Sequence, residues 1–448
     1  MNVVRRALGR LPRSTAEIGW VVAGQCVAAL CALVGVRYLT QLLSPAEYGV
    51  LALALTVGAL MQQLVFGPVS SAVLRFYAAS DERGELRLML RAAGGLIGKA
   101  TLVLVACALL ALLLPVHALL GVGATVIALA ALYACLSGVN GALSAAHSAA
   151  RRRSVVAAHQ ALGEALRFTF AVIAIRVAAP TSAAALAGFM IGIGISSASQ
   201  GVLLWRAVRT RGGELAAPTA VSAPWGLRLL DYARPFALWG GFTWAVLAAD
   251  RWSLQVFHST SDVGRYAALF QLGSYPVTMG ATMMVQLVAP ILFARAADGT
   301  DAARRGQSRR LNLQLTMLVM GATVVATLLA AMLHRQVFGL LVGEAYRSVS
   351  WLLPIVVFGS GVFAAGQQLA LTLLSDLRVN RLITPKVGSA LAGIACYYVG
   401  SRWWGITGVV VAGVAFAIIH LVWIALASRN TVDAPATSIA EPQTVTAS

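Results

Sequence analysis

The sequence predicts an all-α polytopic membrane protein of about twelve transmembrane helices, arranged as two six-helix bundles in a parallel pseudo-repeat. Three observations predict it. The 448-residue chain is 59% hydrophobic and only 11% charged, so it has too few polar side chains to clothe several soluble domains. Its apolar runs extend for about 20 residues between breaks, the length that crosses a hydrocarbon core of roughly 30 Å at 1.5 Å per residue. A short polar element between the first two runs also returns in the second half of the chain.

In order, the predicted spans are residues 18–43, 48–74, 94–114, 124–147, 162–179, 183–205, 235–257, 264–293, 311–333, 351–374, 384–399 and 406–427. The first run is too long for a signal-peptide core and no small-residue cleavage site follows it, so it is expected to stay in the membrane. Two charged, Leu-bearing stretches, DERGELRLMLRAA at 81–93 and PWGLRLLDYARPF at 224–236, read as interfacial helices. The Pro- and Gly-bearing stretch RTRGGELAAPTAVSA lies between them. The expected organisation is a first bundle at 1–208, a cytoplasmic linker and interfacial helix at 209–234, a second bundle at 235–428 and a disordered cytoplasmic tail at 429–448.

Charge sets the orientation. With the N-terminus inside, most of the 34 Lys and Arg fall in cytoplasmic segments, including Arg5, Arg6, Arg10, Arg13, the run Arg151 to Arg153 and the cluster Arg304, Arg305, Arg309 and Arg310. The positive-inside rule therefore gives N-in and C-in, and the net charge of +18 is mostly a topology signal. Anionic headgroups account for arginines in short loops, so nucleic acid is not an expected partner and membrane lipids are.

The repeated element is LSPAEYGVLAL at 43–53. An offset of 215 residues lays Ser44, Glu47 and Gly49 on Ser259, Asp262 and Gly264, in HSTSDVGRYAA. Both copies fall in the outward turn between the first two spans of their half. The spacing S-x-x-acid, with Pro45 at the first helical position, predicts a capped helix start.

No nucleotide-binding, zinc-hydrolase or nucleophile-elbow motif is present, so the chain reads as a transporter and not an enzyme. The cysteines Cys26, Cys31, Cys107, Cys135 and Cys396 all lie within apolar runs without ligand spacing, which predicts neither a disulfide framework nor a metal site. No cofactor is expected, apart from coupling to a proton or sodium ion.

Ionisable groups inside the spans are the functional candidates. Asp250 and Arg251 lie roughly 10 to 12 Å below the outer end of the seventh span, and in the repeat frame Arg37 of the first span falls within one residue of Arg251. A charge at such depth costs at least a few kcal/mol, so it should face protein or a wet cavity. Arg37, Asp250 and Arg251 are read either as the lining of a cationic cavity or as an interhelical Asp250–Arg37 ion pair. Lys99 and Arg167 extend the candidate set; Lys99 could equally snorkel, and Arg167 could pair with Glu164 three residues before it. Gln62 and Gln271 complete it, as cavity groups or interhelical hydrogen-bonding partners.

The order of these motifs resembles a known family. LSPAEYGVLAL, SSAVLRF at 70–76, LLDYARPF with DRWSLQVFHSTSDVGRYAALFQLGSYP at 229–276, and VFGLLVGEAYRSVSWLLP at 337–354 resemble the bacterial Wzx-type polysaccharide and lipid-linked oligosaccharide flippases of the multidrug/oligosaccharidyl-lipid/polysaccharide exporter superfamily. The resemblance implies two six-helix bundles forming a V around a cationic lumen. It further implies alternating-access movement of a polyprenyl-pyrophosphate-linked oligosaccharide to the outer leaflet of the bacterial cytoplasmic membrane, beside polysaccharide polymerase and glycosyltransferase machinery. Asp250 and Arg251 match an acid-Arg pattern in the seventh span of such proteins. A cation-coupled drug antiporter of the same superfamily, whose cavity should be acidic, and a non-transporting scaffold of a polysaccharide assembly complex are the rival readings.

Overall fold

The computed structural model describes residues 11–113, 123–211, 225–296, 302–375 and 380–429. Most of the predicted linker and nearly all of the predicted tail lie outside them. Among the described residues the secondary structure is helical and no strand occurs. In chain order the helices are α1 Leu11–Leu42, α2 Pro45–Glu82, α3 Leu86–Leu113, α4 Ala124–Ala149, α5 Arg153–Val177, α6 Ser182–Arg211, α7 Trp225–Phe257, α8 Thr260–Ala296, α9 Ala302–Leu341, α10 Leu353–Ser375 and α11 Asn380–Arg429. A short 3₁₀ segment, Glu344–Leu352, leads into α10.

Each predicted span falls on one helix except the last two, which share α11. Their boundary is Gly405, at φ 56° and ψ −134°, a conformation that a side chain would strain. Among the described residues, eight segments are individually long and apolar enough to cross a membrane. Helices α5, α7 and α8, which carry Glu164 and Arg167, Asp250 and Arg251, and Gln271, are outside that set.

The two amphipathic stretches are not separate interfacial helices. Residue Gly84, at φ 72°, closes the turn after α2, and the chain then runs from Leu86 into the third span without a breaker. Likewise Trp225 begins the helix that becomes the seventh span, with Pro235 inside it. The two stretches pack on each other. Trp225 and Leu229 are buried beside Val73, Tyr77 and Met89, and the Trp225 indole N–H donates to Glu85 at 3.1 Å.

Both repeat copies form the predicted caps. The Glu47 backbone N–H donates to Ser44 Oγ at 3.3 Å, and that of Asp262 donates to Ser259 Oγ at 3.2 Å. The copies also touch each other reciprocally. A Cβ on Gly49 would collide with the Thr260 carbonyl oxygen, and one on Gly264 with the Pro45 carbonyl oxygen. These are the same contact seen from the two repeats, since Pro45 and Gly49 correspond to Thr260 and Gly264 at the same offset. The glycines are needed for backbone proximity there.

Contacts divide the chain into two compact units. One comprises Met1–Leu272, Leu333–Leu353 and Tyr397–Val409. Within it the 3₁₀ segment anchors on the first repeat copy: the Gly343 N–H donates to Thr40 Oγ1 at 3.0 Å, and the Tyr346 hydroxyl donates to the Leu43 carbonyl at 2.9 Å. The other unit comprises Gly273–Met332, Pro354–Cys396 and Val410–Ser448. Its interior includes an amide pair, Asn312 and Gln368, and a Ser389–His420 pair. Large apolar side chains such as Leu102, Met332 and Trp403 are 70%, 75% and 70% exposed, as lipid-facing positions require.

Candidate functional site

A cavity of about 360 Å³ lies within the first unit, walled by α1, α2, α5, α6, α7 and α8. Its polar lining is Arg167, Arg251, Gln63, Gln271, Tyr48, Thr56 and Trp244; apolar and aromatic residues, including Phe168, Phe189 and Phe270, form most of the rest. Among the described residues that line it, none is acidic.

Local structure explains how each polar group reaches the space. Helix α2 widens at Gln62–Phe66 into a single π turn. The extra residue rotates the C-terminal half of the helix, so Gln63 lines the cavity while Gln62 turns toward Gly141 of α4, whose Cβ position is 3.3 Å from the Gln62 amide. Helix α7 passes so near this turn that a Cβ on Gly240 would strike the Gln63 carbonyl oxygen. Further along α7, the Trp244 indole N–H donates to the Thr56 carbonyl at 2.7 Å and that of Trp252 to Thr56 Oγ1 at 2.9 Å. Two tryptophans therefore fix α7 to α2 beside the cavity.

The two arginines are each held from behind. Arg167 pairs with Glu164 at 2.6 Å, one turn earlier on α5, and its guanidinium carbon sits 4.7 Å from the Phe168 ring centre and 5.0 Å from that of Phe189. Arg251 reaches Asp250 Oδ1 at 3.4 Å and lies 5.1 Å over the Phe270 ring. Aromatic faces stabilise a guanidinium without neutralising it. Helix α6 approaches closely because Gly188 and Gly192 leave no room for a Cβ against the backbone of Ala171 and Arg167.

Asp250 is 3% exposed and does not line the cavity. Its Oδ1 accepts the Arg251 backbone N–H at 2.6 Å, and its Oδ2 accepts the Tyr266 hydroxyl at 2.8 Å, joining α7 to α8. It is thus a buried brace that also partly balances Arg251.

Of the predicted residues, the fold gathers Arg167, Arg251 and Gln271 around one space, with Asp250 directly behind. Arg37, Lys99 and Gln62 are not part of its lining. Arg37 is half-buried on α1, and its Nη1 is buried without a hydrogen-bond partner among the described residues. No Asp250–Arg37 ion pair forms; Val36 and Leu39 are the α1 residues that face the cavity. Lys99 lies exposed on α3. Tyr48, Thr56, Trp244, Phe168, Phe189 and Phe270 join the lining without any signal in the sequence that sets them apart from other span residues. Residue Gln63 was visible only as one of two adjacent glutamines, since the π turn decides between them.

No protein-family profile and no curated protein sequence matches the chain. Solved structures do. The chain is similar to the lipid II flippase MurJ in an inward closed conformation, with a TM-score of 0.68 at 10% identity over 93% of this chain and 87% of that one. It is also similar to a single-residue mutant of the Vibrio cholerae MATE transporter VcmN, with a TM-score of 0.61 at 15% identity over 93% and 96%. A MOP superfamily transporter from Pyrococcus furiosus, described as having a binding pocket of reverse polarity, matches with a TM-score of 0.53 at 12% identity over 92% and 94%. The chain therefore shares the fold of these solved structures, and its long apolar helices are those of a multi-pass membrane protein. That fold is all-helical with twelve spans, as the sequence predicts.

Proposed function

We propose that the protein is a flippase or exporter that moves a polyprenyl-pyrophosphate-linked oligosaccharide across the bacterial cytoplasmic membrane by alternating access, for surface or exopolysaccharide assembly. The observation that carries this reading is the cavity lining: two guanidinium groups and no carboxylate. A diphosphate is too costly to drag through hydrocarbon and needs a polar space with fixed positive charge. Guanidinium groups supply that charge permanently, with paired donors that match phosphate oxygens. The side-chain amides of Gln63 and Gln271 offer the donors and acceptors that sugar hydroxyls use.

The fold supports the same reading, since one of the structures it resembles is a lipid flippase. A drug or cation antiporter would need an acidic cavity, and here the two nearby acids, Glu164 and Asp250, sit behind arginines instead of in the lining. On this reading the chain works with both termini cytoplasmic, as two six-helix halves flanking the linker, beside the polymerase and glycosyltransferase machinery that makes and consumes its cargo. The energy source is a proton or sodium gradient.

The test is binding by the purified protein in nanodiscs. A short-chain polyprenyl diphosphate should bind, and Arg251→Ala should weaken it at least about tenfold, the loss of one or more charge-assisted hydrogen bonds. Preference for a lipophilic cation over the diphosphate would contradict the proposal.

A further inference from the structure

A second space lies against the first. Between α1 and α5, on the lipid-facing side, a groove of about 370 Å³ is lined by Val34, Gly35 and Tyr38 on one wall and by Phe168, Val172 and Arg176 among the α5 residues of the other. Val34, Tyr38 and Ile173 are 51%, 43% and 48% exposed, so the groove opens toward the hydrocarbon. Arg176, exposed near the outward end of α5, is the charged residue of its lining.

Phe168 belongs to both spaces. One side of its ring meets the cavity, edge-on to Phe189 at 5.5 Å and beneath the Arg167 guanidinium at 4.7 Å. The other side meets Gly35, where a Cβ would fall within the ring. Phe168 is thus the residue that the two linings share, with its ring seated against a residue that has no side chain. Its alternative staggered χ1 positions would carry the ring away from that seat.

We propose that this groove is the seat of the hydrocarbon chain of the lipid-linked anion, and that Phe168 is the movable partition through which that chain remains joined to a head group held by Arg167 and Arg251. The inference rests on the anion-carrying function proposed above. It arises from the chemistry of the two spaces: the cargo has a charged end that needs the cavity and an apolar chain that cannot enter it favourably. Only a side opening lets both ends be satisfied at once. The charge arrangement fits, with Arg167 directly behind the partition and Arg176 further along the same helix, where it meets the phosphate as the lipid leaves outward.

The experiment places a photo-crosslinking benzoylphenylalanine at Val34 or Tyr38 in the full chain, reconstituted in nanodiscs of phosphatidylglycerol and phosphatidylethanolamine, with a radiolabelled polyprenyl diphosphate as probe. Cross-linking to the probe is expected. Arg167→Ala and Arg251→Ala should each reduce it at least fivefold, because the chain loses its anchored head. Val172→Trp, which fills the groove from a wall that does not line the cavity, should reduce it while leaving binding of inorganic pyrophosphate unchanged. Should an arginine variant not fold, the Val172→Trp result decides alone. Cross-linking to phospholipid only, or probe cross-linking that the arginine variants leave undiminished, would identify ordinary bilayer lipid in the groove and overturn the inference. Arginine-dependent binding of the probe with no cross-link at either position would overturn the groove and leave the proposed function standing. Binding that is independent of both arginines would overturn both.

Discussion

In the unit that contains α10, Asn312 donates from Nδ2 to the Gln368 carbonyl at 3.0 Å and to Thr372 Oγ1 at 2.7 Å, while Gln368 returns its amide N–H to Asn312 Oδ1 at 2.8 Å. In the unit that holds the cavity, Arg167 and Arg251 turn their guanidinium groups to the rim of an open space and lean on aromatic rings. Both arrangements place polar groups inside helical bundles, where each unsatisfied group is costly. The first closes on itself and ties helices together. The second sets each guanidinium between one carboxylate and a void, so that the positive partner of each pair is the one in the lining. Structural and functional polarity in such a chain are therefore told apart by whether partners face inward along the helices or across a void.

Removing the open charges should have the largest consequence. Replacing Arg251 or Arg167 by Ala, at normal expression in a strain lacking the native protein, should cut surface polysaccharide export at least about tenfold while lipid-linked oligosaccharide accumulates in the membrane. Thermal unfolding in detergent should change little for Arg167→Ala, whereas Arg251→Ala also leaves the buried Asp250 carboxylate without its cation and should unfold at a lower temperature, so export is read per folded protein.

Removing a member of the closed pair should do the reverse. Asn312→Leu leaves the buried Gln368 amide without its partner, so it should cost roughly 1 to 3 kcal/mol of stability. Adding Gln368→Leu should recover part of that loss, because the Gln368 amide is then no longer stranded; the donor lost to Thr372 Oγ1 keeps the recovery partial. A double-mutant cycle on unfolding checks it, and export by the folded fraction should stay near normal.

Intermediate in effect is the acid behind the first arginine. Glu164→Gln frees Arg167 from its ion pair, so pyrophosphate affinity should rise roughly two- to fivefold, in keeping with a partly exposed pair. Titration calorimetry at two salt concentrations reads this, with the gain smaller at high salt.

A weaker contrast separates the two repeat copies. The Glu47 carboxylate leaves its own cap and accepts the Ser182 N–H at the start of α6 at 2.6 Å, whereas Asp262 stays local with Ser259 and Arg265. Glu47→Ala should therefore lower stability by about 1 kcal/mol more than Asp262→Ala. Equal losses in thermal unfolding would mean that the link to α6 contributes nothing.

How much could be read from the sequence depends on the range of the interactions involved. The caps at Ser44 and Ser259 are local, and both were legible from three-residue spacing. The spans were legible because hydrocarbon imposes their length. The expected interfacial helices were not separate because nothing between Ala93 and Gly94, or at Pro235, stops a helix whose neighbours already pack on it. Arg251 was legible as a deep charge, yet the repeat frame pairs it with Arg37, and in the fold Arg167 is its counterpart across the cavity. That exchange depends on which face of α1 turns inward, and Val36 and Leu39 occupy that face. Residue Gln63 displaces Gln62 through the π turn, a backbone irregularity that no side-chain pattern announces. The partition at Phe168 depends on its meeting with Gly35 of another helix, which periodicity along one helix cannot reveal.

On the proposed function, positive charge in the cavity carries the anionic head of a lipid-linked substrate across the membrane. Flipping of a fluorescent polyprenyl-diphosphate oligosaccharide in sealed proteoliposomes measures that role itself, read by the fraction of label that becomes accessible to an external quencher. The native chain should flip the lipid, Asn312→Leu should flip it in proportion to its folded fraction, and the Arg167→Gln, Arg251→Gln double variant should do no better than protein-free vesicles. Undiminished flipping by that double variant, with its fold intact, would contradict the role assigned to the two arginines.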